Sequence, residues 1–306
     1  MTPHPASLHL DSARRTAQSD RMTSTPHPSS HGNGRPQFDL RLLKERHAPT
    51  VMGILNVTPD SFSDGGQFNE PARALMQARL MIEAGADIID IGAESTRPYG
   101  GAQPVTVEEE LGRLRPVLAD VIALGVPVSI DSMKPEVVAW ALDQGAMIAN
   151  DVWGLQRDAG MAPLLAARQA PVIVMHNRES ADPAIDIMSD MTNFFRRSLD
   201  IAAKAGIPLS NIALDPGIGF GKTAEQSITA LARLDELTAF GLPILVGASR
   251  KRFIASVSPS EPQERIGGSI AAHVIAAQRG ALIIRTHDVA ETVQALRVTR
   301  AIESKR

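Results

Sequence analysis

The amino-acid sequence predicts an α/β protein: a single (β/α)8 TIM barrel over residues 37–306, preceded by a disordered N-terminal extension over residues 1–36. Three observations support this fold. From residue 50 onward there are eight short apolar runs, a longer segment separates each run from the next, and each run ends in polar residues. Eight β-then-α units over roughly 250 residues match the count and size of such a barrel.

The extension has a composition that argues against folding. Residues 1–36 are rich in Pro, Ser, Thr, His and Arg and lack apolar periodicity, so they cannot bury enough surface to order themselves. Because the histidines of this segment are scattered, we interpret it as a solvated tail and not as a metal site. The Arg content and scarcity of acids weakly suggest a transit peptide, although no amphipathic stripe is visible, and Met22 is an alternative start.

Continuous apolar runs without in/out alternation are typical of strands buried on both faces of a parallel sheet. In chain order the runs are TVMGILN, DIIDIGAES, VPVSIDS, AMIAND, PVIVMHN, IALDPG, PILVGASR and ALIIRTHD. Helical patterns such as PARALMQARLMIEAGA and VEEELGRLRPVLADVIALG lie between them, and several end in glycine, as helix C-caps do. A doubly wound open sheet is the alternative, but NVTPDSFSDGG after the first run lacks the G-x-G-x-x-G fingerprint.

The composition of the chain excludes or disfavours several classes of function. The 306 residues carry a net charge of −3 with both signs interspersed, which disfavours nucleic acid and membrane surfaces as partners. No run of about 18 apolar residues is present, so no membrane span is predicted. The chain has no cysteine, which excludes disulfides, thiolate metal sites and cysteine nucleophiles and fits a cytoplasmic location.

The predicted strands all end in polar side chains, and in this fold the carboxyl ends of the strands form the active site. Taken singly, each of these residues is explained equally well as a helix N-cap or as part of a functional site. Eight polar strand ends in succession are harder to explain that way. Carboxylates, amides and cations around one mouth suggest a substrate with a polar heterocycle and phosphate. The strand-end residues include Asn56, Glu94, Thr96, Asp131, Asn150, Asp151, His176, Asn177, Asp215, Ser249, Lys251, Arg285 and His287.

The segment LDPGIGFGKT at residues 214–223 looks like a phosphate-binding loop. A Walker A loop requires G-x-x-x-x-G-K-[ST], because the spacing of the two glycines aims backbone N–H groups at phosphate. Five positions before Gly221 stands Pro216. The missing glycine, together with the lack of a Walker B strand, makes a nucleotide hydrolase the least favoured function.

Seven motifs together resemble the dihydropteroate synthase family, in the family's order and over about residues 50–297. They are GILNVTPDSFSDGG, IGAESTRP, SIDS, NDVWG, LDPGIGFGKT, GASRK and RTHD. The resemblance implies joining of 4-aminobenzoate to (7,8-dihydropterin-6-yl)methyl diphosphate, with Mg2+ and release of diphosphate. It also implies inhibition by sulfonamides and a homodimer. LDPGIGFGKT is then a pterin-reading strand end.

The resemblance also assigns roles to individual residues. Those that bind the pterin are Asp131, Asn150, Asp215 and Lys251. Those that take part in catalysis are Asp131, Lys251, Arg285 and His287. Those that bind diphosphate are Asn56, Thr96, Arg285 and His287, with Asn56 also a ligand of Mg2+. Those that line or close the 4-aminobenzoate pocket are Asp60, Thr96, Arg97, Pro98 and Phe220, most of them on two mobile loops, VTPDSFSDGGQF and ESTRPYGG. Arg252 departs from the Ser that is common in the family at this position, which some members use to meet the 4-aminobenzoate carboxylate, and we expect Arg252 to keep that role by other geometry.

The expected mechanism is dissociative: diphosphate leaves first and the aromatic amine then attacks the pterin-methyl cation, so no strong general base is needed. Two alternatives keep the fold. One is a pterin-binding barrel of a folate-dependent methyltransferase, which would lack the diphosphate-binding motifs. The other is a catalytically silent binding paralogue, which would have lost a strand-end or loop residue.

Overall fold

The protein forms a barrel of eight parallel strands in the computed structural model, which describes residues 29–30, 36–46, 48–58, 70–94 and 105–305. The strands are β1 (Thr50–Asn56), β2 (Ile88–Gly92), β3 (Val128–Asp131), β4 (Ile148–Asp151), β5 (Val172–Met175), β6 (Ile212–Asp215), β7 (Leu245–Val246) and β8 (Ile283–Thr286). Each pairs in parallel with its neighbour in the order β6-β5-β4-β3-β2-β1-β8-β7. A parallel bridge between Leu214 and Ile244 closes the ring. All eight predicted strands are confirmed.

A helical layer surrounds the barrel. The helices are α1 (Glu70–Glu83), α2 (Val107–Leu114), α3 (Leu118–Ile122), α4 (Pro135–Gln144), α5 (Met161–Arg168), α6 (Ile187–Ala205), α7 (Ala224–Ala232), α8 (Arg252–Val257), α9 (Ile266–Gln278) and α10 (Val289–Glu303). Gly145 and Gly206 cap α4 and α6 in the left-handed conformation, as predicted. The segment predicted as one helix after β2 is two, because Pro116 has no N–H to continue α2. Among the described residues, no helix has the length and apolarity to cross a membrane.

Most of the predicted disordered extension lies outside the described residues. Within it, Ser29–Ser30 pairs antiparallel with Pro36–Gln37, which the sequence did not lead us to expect. The boundary placed between residues 36 and 37 stays a prediction.

The amino end of the barrel is filled by apolar side chains. The segment that follows the extension includes a 3-10 helix, Leu40–Glu45, and its Phe38, Leu40 and Leu43 are at most 4% exposed. They form one cluster with the barrel-lining residues Met52, Ile88, Ile148, Ile173, Ala213, Leu245 and Ile283. This segment therefore plugs the barrel opposite the predicted site.

On β2, β4, β6 and β8, the interior-facing side chain two residues further along is polar, whereas β1 and β5 keep the apolar Ile54 and Met175 there. Alternate residues of a strand point to the same face of the sheet, so the residue two positions after a member of the apolar cluster also faces the barrel interior, one layer higher. The strand pairing places Asp131 beside Asn150 and Arg285 beside Met52. The polar members of this upper layer are Asp90, Asp131, Asn150, Asp215 and Arg285.

Candidate active site

A cavity opens among the carboxyl ends of the strands. It is lined by Asp131, Asn150, Val152, Met175, Asp215, Gly217, Ile218, Phe220, Gly247, Lys251 and Arg285. All four residues predicted to bind a pterin are in this set, together with Arg285 and Phe220. The fold thus brings together side chains that are up to 154 residues apart in the chain.

Arg285 is the centre of an ion cluster at the floor of the cavity. Its Nε donates to Asp90 Oδ2 at 2.6 Å, and its Nη2 donates to Asp131 Oδ2 at 2.6 Å. Asn150 Nδ2 donates to the same Asp90 oxygen at 3.1 Å. The Asp131 Oδ1 and Asn150 Oδ1 atoms are buried and accept no hydrogen bond from the described residues. Two acceptors on the cavity wall are therefore suited to a ligand that carries N–H donors.

One guanidinium facing two carboxylates leaves this cluster with excess negative charge. Burial raises the pKa of Asp131 to about 7, and Asp90 adds to the rise while Arg285 opposes it. Burial alone would lower the pKa of Arg285, but Asp90 and Asp131 together raise it. Arg285 therefore stays charged. Asp131 is the carboxyl that can gain or lose a proton near neutral pH.

Asp215 is the last residue of β6 and is 4% exposed. Its Oδ1 accepts the N–H of Gly217 at 2.7 Å, which orients the carboxyl at the cavity wall. Burial raises the pKa of Asp215 to about 6, against the lowering effects of the Gly217 N–H and of Lys251. At neutral pH the group is therefore mainly a carboxylate, which accepts two parallel hydrogen bonds from a guanidine-like edge.

Lys251 and Phe220 lie together on one side of the cavity. The Lys251 ammonium lies over the Phe220 ring, 4.0 Å from its centroid. Phe220 belongs to residues 216–222, the loop that joins β6 to the following helix, and it is half-buried. A cation above an aromatic ring is an attractive contact, so the two residues define one wall together.

Two of the sequence motifs meet beside the cavity. His287 Nδ1 lies 3.0 Å from Ser249 Oγ, and Arg250 donates to the Asp288 carboxylate through Nε and Nη2 at 3.1 and 2.5 Å. Burial lowers the pKa of His287 to about 3, and the charges of Arg285 and Arg250 act in the same direction. His287 is therefore neutral, and its ring can offer an N–H donor but no positive charge.

Other predicted site residues are not all in the cavity lining. Asn56 ends β1 half-buried and pairs in register with Gly92, whereas Arg252 is exposed at the start of α8. Asp60, Thr96, Arg97 and Pro98 lie outside the described residues. Within the described ranges, no group of three or more His, Cys, Asp or Glu residues could hold a metal ion.

The two ends of the second predicted loop are tied to each other. Glu94 Oε1 accepts the N–H of Val105 at 3.2 Å. The other Glu94 oxygen accepts from Lys134 Nζ, which also donates to the buried Glu110 at 2.7 Å. The residues that flank positions 95–104 are thereby fixed to the helical layer.

Sequence reasoning missed three contributors. Asp90 lies mid-strand in an otherwise apolar run, and that isolated buried carboxylate was the signal for it. Met175 lines the cavity, but nothing distinguishes it from a core methionine in the sequence. Lys222 was visible only as part of an imperfect phosphate loop.

A barrel with this arrangement of strand-end carboxylates, amide and cations is that of a pterin-binding protein. A profile of the family described as pterin binding enzyme matches residues 52–287, and the chain belongs to that family. It is 42% identical over 264 residues to the dihydropteroate synthase of Bacillus subtilis, covering 86% of this chain and 92% of that protein.

Solved structures agree with this placement. The dihydropteroate synthase of Xanthomonas albilineans in complex with 7,8-dihydropteroate has a TM-score of 0.77 and 42% identity, over 84% of this chain and 94% of that one. The Yersinia pestis dihydropteroate synthase in a sulfonamide drug complex has a TM-score of 0.79 and 40% identity, over 92% of this chain and 100% of that one.

Proposed function

We infer that the protein acts as a dihydropteroate synthase. It joins 4-aminobenzoate to (7,8-dihydropterin-6-yl)methyl diphosphate and releases diphosphate. The observation that carries this conclusion is the cavity in which Asp131, Asn150, Asp215, Lys251 and Arg285 converge at the carboxyl ends of the strands. The relatives that share the fold at about 40% identity are dihydropteroate synthases.

The pterin ring is recognised by the strand ends. Its amino-pyrimidine edge presents parallel N–H donors, and the Asp215 carboxylate accepts such an edge with two hydrogen bonds. Asn150 supplies a buried amide oxygen, and Lys251 donates to the pterin carbonyl and ring nitrogen. These partners identify the heterocycle by hydrogen-bond direction and not by shape alone.

Asp131 stabilises the charge that develops as diphosphate leaves. In its ionised form the Asp131 carboxylate lies in a largely buried site, where its negative charge acts strongly on the delocalised pterin-methyl cation. Arg285 limits this charge by sharing one Asp131 oxygen. The mechanism is dissociative, and the neutral aromatic amine attacks without a general base.

Cationic and neutral donors receive the leaving diphosphate. Arg285 uses Nε and Nη2 for Asp90 and Asp131, and its five N–H donors leave others for phosphate oxygens. His287, two residues after Arg285 and just beyond the end of β8, adds a ring N–H. The Asn56 amide oxygen suits Mg2+, a hard cation that is held by one or two protein oxygens plus substrate phosphates and supplies concentrated positive charge there.

The 4-aminobenzoate site lies against Phe220 and Lys251. Asp60, Thr96, Arg97 and Pro98 complete and close it from the two predicted loops, and Thr96 also contacts the diphosphate. Arg252, exposed at the start of α8, lies next to Lys251 and is placed to meet the carboxylate of 4-aminobenzoate. Sulfonamides mimic 4-aminobenzoate and occupy this site.

The enzyme is a cytoplasmic homodimer in this proposal. Gly267, Ala271 and Ile275 lie four residues apart on the exposed face of α9. Val298 and Ile302 on the adjoining α10 are 54% and 65% exposed. Exposed apolar residues on two adjoining helices suit a second copy of the chain. Sedimentation of the protein and of an Ile275→Glu variant tests the dimer.

The reaction is tested by incubating the protein with the pterin diphosphate, 4-aminobenzoate and Mg2+. Stoichiometric diphosphate and 7,8-dihydropteroate are expected. Diphosphate release without the pteroate product would indicate hydrolysis and contradict the proposed function. Omission of 4-aminobenzoate is the matched control.

A further inference from the structure

Lys222, the lysine of the imperfect phosphate loop, points into the protein. It is 3% exposed, and its ammonium donates to the backbone carbonyls of Gly217 at 2.9 Å, Phe220 at 3.1 Å and His176 at 3.3 Å. These oxygens belong to both ends of the loop at residues 217–220 and to the end of β5. Burial lowers the pKa of Lys222 to about 7, whereas the charges of Asp215 and Asp190 raise it. The acceptors around Nζ favour the protonated form, and the ammonium is enclosed by its own loop, away from any bound anion.

Two glycines make this enclosure possible. Gly217 and Gly221 have φ angles of +61° and +53°. A Cβ would lie 2.0 Å from the carbonyl oxygen of His176 at Gly217, and 2.4 Å from that of Arg178 at Gly221. The loop is thus pressed against the backbone of residues 176–178. In a Walker loop the N–H groups face a phosphate, whereas here the carbonyls face a cation.

A second layer orients the ammonium. His176 Nδ1 lies 2.6 Å from Lys222 Nζ, and His176 Nε2 lies 3.0 Å from Asp190 Oδ2. Since an ammonium can only donate, Nδ1 accepts and Nε2 carries the proton that is donated to Asp190. Burial lowers the pKa of His176 to about 4, and the charge of Lys222 lowers it further, so the ring is neutral. The hydrogen bond from His176 lowers the pKa of Asp190 to about 2.

The loop depends on this contact more than the strand ends do. Asp131, Asn150 and Asp215 are held by the hydrogen bonds of the barrel strands. Phe220 is held by a turn, Phe220 N to Gly217 O at 3.0 Å, and by the contact of its carbonyl with Lys222. Loss of the ammonium would therefore displace Phe220 before it displaced the pterin-binding strand ends.

We propose that Lys222 is a positioning residue for the 4-aminobenzoate site: its ammonium, oriented by His176 and Asp190, fixes the loop so that Phe220 lies against Lys251. This inference rests on the proposed function, since it assigns Phe220 to the 4-aminobenzoate wall. The buried Lys222 ammonium is bound by the carbonyls of this loop, whereas a phosphate-binding loop of similar sequence binds an anion through its N–H groups.

The test measures both Michaelis constants of Lys222→Met, which keeps an unbranched side chain one atom shorter and removes the charge. We expect KM for 4-aminobenzoate to rise at least tenfold and KM for the pterin diphosphate to change less than threefold. Ser227→Ala is the matched control, because Ser227 Oγ accepts the loop N–H of Gly219 at 3.3 Å without contacting the ammonium. Its two constants should change less than threefold.

A merely structural role of Lys222 would reduce the amount of active protein and leave both constants unchanged, which would overturn the proposal. If Lys222→Met does not fold, the comparison of His176→Asn with His176→Leu decides. Asn keeps an acceptor near the Nδ1 position, so its KM for 4-aminobenzoate should be at least threefold below that of Leu. Equal values would overturn the orienting role of His176. An inactive wild-type protein would instead contradict the proposed function.

Discussion

The two ends of the barrel use the same strands, and on β2, β4 and β8 the apolar and the polar residue lie two positions apart. Ile88, Ile148 and Ile283 fill the amino end, whereas Asp90, Asn150 and Arg285 follow them at the carboxyl end. Burying each large apolar side chain stabilises the fold by about 1.5–3 kcal/mol. Burying a charge costs several kcal/mol unless it is paired. One end therefore supplies stability, and the other uses part of it to hold charged groups for binding.

The largest expected effect is on stability at the amino end. Leu43→Ala removes a side chain that is 1% exposed, and it should lower the free energy of unfolding by about 2–5 kcal/mol. Both Michaelis constants should stay unchanged, because the plug lies opposite the cavity. Denaturant unfolding and steady-state kinetics measure the two quantities. Leu42→Ala, at a half-buried neighbour, is the control and should cost less. Equal losses would mean that the plug is not part of the core.

The second prediction concerns binding at the carboxyl end. Asp215→Ala removes a charge-assisted acceptor, so affinity for a diphosphate-free pterin should fall by roughly a hundredfold, about 3 kcal/mol. Calorimetry measures this. Asp151, the last residue of β4, is a matched control. Its carboxylate accepts the N–H groups of Trp153 and Leu155 at 2.9 and 2.6 Å. Asp151→Ala should lose stability and keep affinity. Less than threefold weakening by Asp215→Ala would contradict its assignment.

The third prediction separates the strand ends from the loops. If the loops that carry Asp60, Thr96 and Arg97 assemble around diphosphate, a sulfonamide should bind at least tenfold more tightly when diphosphate and Mg2+ are present, a coupling of about 1.4 kcal/mol. Inhibition should be competitive with 4-aminobenzoate. Affinity that does not depend on diphosphate would rule out this order of assembly.

The smallest expected effect is that of pH on pterin affinity. The pKa of Asp215 is raised to about 6, so the group keeps its proton in mildly acidic solution. Binding requires the carboxylate, and affinity should therefore rise with pH, by roughly fourfold between pH 5.5 and 7. Calorimetry across this range checks the sign. The Asp151→Asn variant should keep the same profile, although burial also raises the pKa of Asp151 to about 6. Affinity that falls as pH rises would show that the protonated form of Asp215 binds.

The fold was predictable because each strand has a recognisable local sequence pattern. Apolar runs such as PVIVMHN and IALDPG are recognised as buried strands from their own sequence. The division of the segment at residues 107–122 into α2 and α3 was missed, although Pro116 was visible. The pairing of Ser29–Ser30 with Pro36–Gln37 was missed because a polar, proline-rich stretch gives no strand signal.

Much of the candidate site was also predictable, since Asp131, Asn150, Asp215, Lys251 and Arg285 all face one cavity. Their roles in binding and catalysis stay predictions. The roles of Asn56 and Arg252, which do not line the cavity, also stay predictions. Those of Asp60, Thr96, Arg97 and Pro98 concern residues outside the described ranges.

The sequence alone determined the alternation of strands and helices, and through the period of two along a strand it determined which residues share the upper layer of the barrel. Only the tertiary structure decided how those side chains divide their contacts. Arg285 pairs with Asp90 across 195 positions, and Lys222 turns inward because two left-handed glycines press its loop against residues 176–178. The physical reason is that strand periodicity is a local property, whereas the partner of a buried charge depends on which distant groups the closed barrel brings within hydrogen-bond distance.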